Sequence, residues 1–335
     1  MRARPSPNLT QRMPEVLRFP VSLLLLLTIA TLTAQAADYE MQFTPAAAVY
    51  KLQVKRAGQI ADGSAVLIAP GRLLTACHVT RAAESIKIGR EELTWRAYPA
   101  GTDIDHDLCV LSAPELSLAK PAVVGATQGL RPGEPVIAIG YPRGGKIELT
   151  YGEIKGVHAY DGANILQVSA AFDHGQSGGG VFDAAGRLIG IIGFKTVAGG
   201  DFNYALPLAW AGDAVPGQPA LAHAPLHGGR PFWQRTDEAQ RPLFLRAASL
   251  EANRKWEALR GVAQEWIATD ATNPASWRCL ARALTNLGHN EPAAFAFAQA
   301  ESLQPSLAGT DTSTPPAKLA DAQPTPVDSG ARARR

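Results

Sequence analysis

Between Phe43 and Ala211 the chain is a train of short apolar runs with no long stretch of helical period. "SAVLIA", "RLLTA", "DLCVLS", "PVIAIG", "NILQVSA", "GVFD" and "RLIGIIGF" are rich in Val, Ile and Leu, and Gly, Pro, Asp and Asn punctuate them. Short runs of this kind bounded by turn residues read as strands, and many in succession read as an all-β sandwich or barrel. The pattern lacks the alternating helices of an α/β fold. A mainly β domain is therefore expected over residues 43–211.

After Ala211 the pattern changes twice. Residues 212–237 are expected to be a linker, since "AGDAVPGQPALAHAPLHGGRPFWQR", Ala211 to Arg235, is rich in Pro, Gly and Ala and has no period. Residues 238–305 are expected to form a small all-α region. Apolar residues recur there at three and four through Leu243, Ala247 and Leu250, then Trp256, Leu259, Ala263 and Trp266, then Trp277, Leu280, Leu284 and Leu287. Asn273-Pro274 marks a helix start and Gly288 a stop. A shift of 34 residues carries Ala247 onto Ala281, Leu250 onto Leu284, Leu259 onto Ala293, Ala263 onto Phe297 and Trp266 onto Ala300, as two copies of one helix-turn-helix unit would. The second copy, "NPASWRCLARALTNLGHNEPAAFAFAQAESLQP", resembles a tetratricopeptide repeat. The first is degenerate, and an ordinary helical bundle is the alternative. Residues 306–335 have almost no large apolar side chains and read as a disordered tail.

Residues 1–36 read as a signal peptide rather than as part of the fold. Arg12 and Arg18 precede the apolar run "VSLLLLLTIATL", and the small-residue site "AQA" follows it. Met13 is a second candidate start. The run is short for a spanning helix, so cleavage and export to a periplasmic or extracellular space are expected, with an uncleaved anchor as the alternative. A net charge of +2 without a basic cluster argues against a nucleic-acid partner. Three cysteines without a C-x-x-C pair give no structural zinc site, and neither a metal nor another cofactor is expected.

The chemistry gathers around "FDHGQSGGGVFD", Phe172 to Asp183. Acyl transfer by serine needs a base, a carboxylate that fixes the base's tautomer, and backbone donors for the developing oxyanion. Ser177 is the candidate nucleophile. His78 follows the apolar strand in "GSAVLIAPGRLLTACHVT" and is the candidate base, and Asp107, directly before the strand Leu108 to Leu111, is the candidate carboxylate. Gly175-x-Ser177-x-Gly179 also fits the nucleophile elbow of α/β-hydrolases. That elbow runs straight into a helix and has its Asp and His downstream. Here a strand and the turn at Asp183–Gly186 follow, which argues against it.

The segments around these three residues resemble the chymotrypsin-like serine peptidases of the compact bacterial HtrA-type branch. "GSAVLIAPGRLLTACHV", "HDLCVL", "PVIAIGYPRGG" with "LTYGEIKGV", "GQSGGGVFDAAGRLIGII" and "NYALPL" occur in that family's order. The resemblance implies two six-stranded β-barrels with the site in the cleft between them. It implies Ser177 as nucleophile, His78 as general base and then acid, Asp107 as the group that orients His78, and the amides of Gly175 and Ser177 as the oxyanion hole. By position in that fold, Cys77 and Cys109 pack together under the site. A disulfide is expected between them, with two buried thiols as the alternative. The substrate pocket would have its base near Ala171, Phe172, Asp173 and His174, and its wall near Gly193, Phe194 and Lys195. A small or medium apolar side chain is expected before the cut. Gln176 stands where trypsin-like zymogens carry an aspartate, so activation by a freed N-terminus is not expected. Asp103 and Asp105 are read as solvated loop charges.

The expected function is that of an exported serine endopeptidase with a protein or peptide substrate, and with helical repeats that bind a partner protein. The alternative is a peptidase-fold scaffold that no longer cleaves.

Overall fold

A computed structural model describes residues 45–196, 203–212 and 229–303. The expected signal segment and C-terminal tail lie outside them. Twelve strands form two closed six-stranded barrels. β1 (Val49–Arg56), β2 (Gln59–Ala69), β3 (Arg72–Ala76), β4 (Ser85–Arg90), β5 (Leu93–Asp103) and β6 (Leu108–Ser112) close the first in the order β1-β2-β3-β6-β5-β4. β7 (Pro135–Gly140), β8 (Glu148–Tyr160), β9 (Ala163–Val168), β10 (Gly180–Asp183), β11 (Leu188–Lys195) and β12 (Asn203–Leu206) close the second in the order β10-β11-β12-β9-β8-β7. Closure leaves neither barrel with a free edge.

Local turn chemistry sets the register. Ala57-Gly58 and Asp161-Gly162 both have positive φ at each residue, and they join strands whose flanking pairs are Arg56↔Gln59 and Tyr160↔Ala163. Two left-handed residues in succession make the hairpin turn whose twist matches that of the strands. Each barrel then buries its own apolar face. Leu52, Leu67, Leu73, Ile88 and Leu111 fill the first, and Val136, Ile154, Leu166, Ile189 and Ile192 fill the second.

Four helices follow: α2 (Leu243–Ala252), α3 (Trp256–Thr269), α4 (Pro274–Asn286) and α5 (Asn290–Ser302), where α1 is the single turn Cys77–Thr80. The Asn273 side chain accepts from the Ala275 N–H and caps α4, with Pro274 in its first turn. The helices do not form a separate body. Phe244, Leu245, Leu259 and Trp266 belong to one apolar cluster with Ile165, Tyr204 and Leu206 of the second barrel and Leu74 and Val110 of the first.

Two expectations need correction. The linker expected over 212–237 does not hold for its last part. Residues 213–228 lie outside the described residues, but the 3-10 turn Phe232–Gln234 packs on the barrels and Phe232 is wholly buried. The repeat alignment equates Ala263 with Phe297, yet Ala263 is fully buried while Phe297 is 40% exposed. Phe297 lies on α5, the last helix among the described residues. Among the described residues no helix is long and apolar enough to cross a membrane.

Candidate active site

The histidine half of the site is built at the rim of the first barrel. Strand β3 delivers His78 into α1, and β6 begins directly after Asp107. Asp107 is fully buried and has φ of 62°, a left-handed conformation that a non-glycine residue rarely holds. Its backbone and side chain are clasped by the facing turn. The Asp107 carbonyl accepts from the Cys77 N–H at 3.0 Å, and Oδ1 accepts from the His78 N–H at 2.8 Å. Oδ2 lies 2.7 Å from His78 Nδ1. A carboxylate against Nδ1 keeps the ring proton there, which leaves Nε2 as the basic nitrogen. A third donor also reaches the carboxylate: Trp233 Nε1–H, at 3.2 Å from Oδ2. Beneath the pair, Cys77 and Cys109 are joined by a disulfide.

The serine half lies on the second barrel, in the turn from Asp173 to Gly179. Its backbone N–H groups are engaged one after another. Asp173 donates to Gln176 Oε1, His174 to Asp173 Oδ1, Gln176 to the Asp173 carbonyl, Gly178 to the Ile192 carbonyl and Gly179 to the Gln176 carbonyl. Those of Gly175 and Ser177 have no partner among the described residues. The directions of these two follow from peptide planarity, because no peptide bond is cis. The Arg143 N–H holds the His174 carbonyl at 2.6 Å, so the Gly175 N–H points away from Arg143. The Gly179 N–H holds the Gln176 carbonyl, so the Ser177 N–H points away from Gly179.

Glycine is required at two of these positions. Gly175 has φ of +92°, and a Cβ there would stand 2.5 Å from the Arg143 nitrogen. Gly178 has φ of +85°, and a Cβ there would stand 2.2 Å from the Ser64 carbonyl oxygen.

Ser64, on β2, fastens this turn to the first barrel. Its N–H donates to the Ser177 carbonyl, its hydroxyl donates to the Gly175 carbonyl at 2.8 Å, and it accepts from the Tyr141 N–H. Gln176 is almost wholly buried and closes the turn from inside through Oε1. Ser177 Oγ donates to the Gly193 carbonyl at 3.5 Å, and no hydrogen bond joins it to His78 in this structure.

His78 and Ser177 face one cleft of about 280 Å³. Phe172, Asp173, His174, Gly193, Phe194 and Lys195 line it, and so does Trp233. Ala171, expected at the pocket base, is not part of the lining. It is exposed, and its carbonyl accepts from Thr150 Oγ1. Phe172, the next residue, is buried and lines the cleft instead. Asp173 forms an ion pair with Arg143 at 3.0 Å. The hydrogen bond from the His174 N–H, with Arg143 and Lys195 nearby, lowers its pKa from the ordinary value. Lys195 Nζ donates to the Phe172 carbonyl.

Asp105 is an exposed turn charge, as expected, whereas Asp103 ends β5 and is partly buried rather than a solvated loop charge. Asp105 pairs with Arg235 through both oxygens, at 2.6 and 2.8 Å. Asp103 holds His106 Nδ1 at 2.6 Å while Asp161 of the other barrel holds Nε2 at 2.8 Å. Burial alone would lower the pKa of His106, but these two carboxylates outweigh it and raise it. Among the described residues no cluster of His, Cys, Asp and Glu could hold a metal.

Sequence reasoning missed Ser64 and Trp233. Ser64 lay within a strand motif. Trp233 lay in a Pro/Gly-rich stretch read as a linker, where the only signal was the adjacent aromatic pair Phe232-Trp233.

The two closed barrels thus set a histidine–carboxylate pair on one side of the cleft and a serine turn on the other. Residues 63–191 match the trypsin-like peptidase domain family. Among curated proteins the chain is 36% identical over 132 residues to Protease Do-like 1, chloroplastic, from Arabidopsis thaliana, covering 36% of this chain and 30% of that protein. It is 32% identical over 168 residues to a probable periplasmic serine endoprotease DegP-like from Pseudomonas savastanoi, covering 46% and 34%. The chain thus spans about a third of the length of these relatives. Among solved structures, the active form of the Rv3671c protease from M. tuberculosis aligns with a TM-score of 0.50 at 19% identity, over 58% of this chain and 90% of that one. At that identity the likeness is one of fold.

Proposed function

We propose that this chain is an exported serine endopeptidase that cleaves protein substrates through an acyl-enzyme. The observation that carries the reading is the pair of free N–H groups, Gly175 and Ser177, in a turn whose other amides are all engaged, beside a histidine held by a buried carboxylate. Ser177 Oγ turns about χ1 from the Gly193 carbonyl to His78 Nε2 as substrate enters, and catalytic hydrogen bonds commonly tighten at that stage. Oγ attacks the scissile carbonyl carbon while Nε2 takes its proton. The Gly175 and Ser177 N–H groups meet the oxyanion. The imidazolium, stabilised by Asp107, passes the proton to the leaving amine, and water then releases the acyl group by the same steps. The disulfide Cys77–Cys109 and the left-handed Asp107 fix the base before substrate arrives.

The cleft suits a small or medium apolar side chain. Phe172, Gly193 and Phe194 form its walls, and the Asp173 charge is engaged by Arg143 rather than offered to a basic substrate. The helical region binds a partner protein, with Phe295 and Phe297 of α5 exposed at 60% and 40% as its candidate contacts. The "AQA" site after an apolar run supports export, as does the likeness to a relative described as periplasmic.

The absence of a Ser177–His78 hydrogen bond favours one other reading, a scaffold that no longer cleaves. Turnover of unfolded casein separates the two. The endopeptidase reading predicts cleavage by the wild-type chain and none by Ser177→Ala. Cleavage by neither, from folded protein, would favour the scaffold.

A further inference from the structure

The segment after residues 213–228 returns to the catalytic pair. The Phe232 N–H donates to the Asp105 carbonyl at 2.8 Å, and Arg235 clasps the Asp105 carboxylate. Phe232 is buried between Tyr160, Phe194 and Trp210 of the second barrel and its flank. These anchors, one on each barrel, present Trp233 to the site in three contacts. Its indole N–H reaches Asp107 Oδ2, its ring meets the His78 ring edge-on at 5.6 Å, and it stacks on Phe194 at 4.8 Å with 10° between planes. The same chain then runs into α2, which docks on the second barrel.

We propose that Trp233 is a positioning residue for the His78–Asp107 pair and a wall of the substrate cleft. The site is therefore complete only when this C-terminal strap, residues 229–241, is docked. A buried carboxylate with one face on the histidine needs a donor on its other lone pairs to stay correctly turned, and a hydrogen bond to a charged group is among the stronger ones. Among the described residues, the Asp107 carboxylate receives two donors from His78 and a third only from Trp233. Docking of the helices on the second barrel and completion of the site on the first are thus joined by one short segment. This inference rests on the serine-peptidase reading.

The test uses the full chain and a fluorophosphonate probe, whose concentration dependence separates the maximal labelling rate from probe affinity. Trp233→Phe keeps the ring against His78 and Phe194 but removes the N–H. The maximal rate is expected to fall about tenfold with affinity changed less than about twofold, while Trp233→Ala, which also opens the wall, weakens affinity as well. Arg235→Ala, remote from the reacting atoms, is expected to lower the rate about two- to threefold by loosening the strap. An unchanged maximal rate in Trp233→Phe overturns the proposal. Failure of the wild-type chain to label counts against the peptidase reading instead. Hydrogen exchange at the Trp233 indole N–H then still decides the anchor: slow exchange that becomes fast in Asp107→Ala is the expected result, and fast exchange in the wild type overturns the proposal.

Discussion

The two halves of the His78–Ser177 cleft are held in opposite ways. On the first barrel, Asp107 is fully buried, carries an uncommon backbone conformation and accepts three hydrogen bonds on its carboxylate, with a disulfide beneath. On the second, the turn that carries Ser177 leaves two N–H groups without a partner among the described residues and its hydroxyl resting on a backbone carbonyl. In the proposed reaction the base is fixed in advance, whereas the donors for the oxyanion are aimed but unfilled. Preorganised donors that need no rearrangement at the moment of reaction are where transition-state stabilisation comes from. Ser64 and Gln176 hold the shape of the open half by engaging other polar groups of its turn.

Substitutions can break this comparison from either side. On the base side, Asp107→Asn keeps the shape but favours the wrong tautomer of His78, and a fall in the maximal labelling rate of about 10⁴ is expected. On the serine side, Gly175→Ala meets both a positive φ and the Arg143 nitrogen, so the turn must move. The labelling rate should fall about 10²- to 10³-fold with the folded fraction nearly unchanged by circular dichroism. Equal, small effects of these two changes would remove the distinction drawn here.

Replacing Cys77 and Cys109 together with alanine tests how far the fixed half depends on its covalent tie. The bridge spans 32 residues. Loop-closure arguments give a loss of about 3–4 kcal/mol, read as a lower urea midpoint. The smallest effect is expected at His106, which ties the two barrels through Asp103 and Asp161. Its pKa is raised in the folded chain, so its contribution is complete below the ordinary histidine value of about 6.5 and is lost as pH rises through the folded value. Melting temperature should therefore decline over that alkaline step in the wild type and less in His106→Asn.

The barrels were legible because turn residues divide the apolar runs wherever a strand ends, as at Asp161-Gly162. His78, Asp107 and Ser177 were legible as candidates because each adjoins a strand end in an order that few folds use. Ala171 lies one residue from Phe172, which lines the cleft, and position along the chain alone does not say which of two neighbouring side chains turns inward. Trp233 was not legible. A three-residue 3-10 turn has no period, and its importance comes from groups more than a hundred residues away. Phe297 failed for a related reason, since the 34-residue pattern says which face of a repeat is apolar but not whether anything covers it.

The account stands on Ser177 being an activated nucleophile beside a preformed pair of donors. Mass mapping of a fluorophosphonate adduct on the folded chain tests that directly. A single adduct on Ser177, lost in Ser177→Ala and strongly slowed in Gly175→Ala, is the predicted result. An unlabelled wild-type chain, or one labelled equally well after Ser177→Ala, would contradict it.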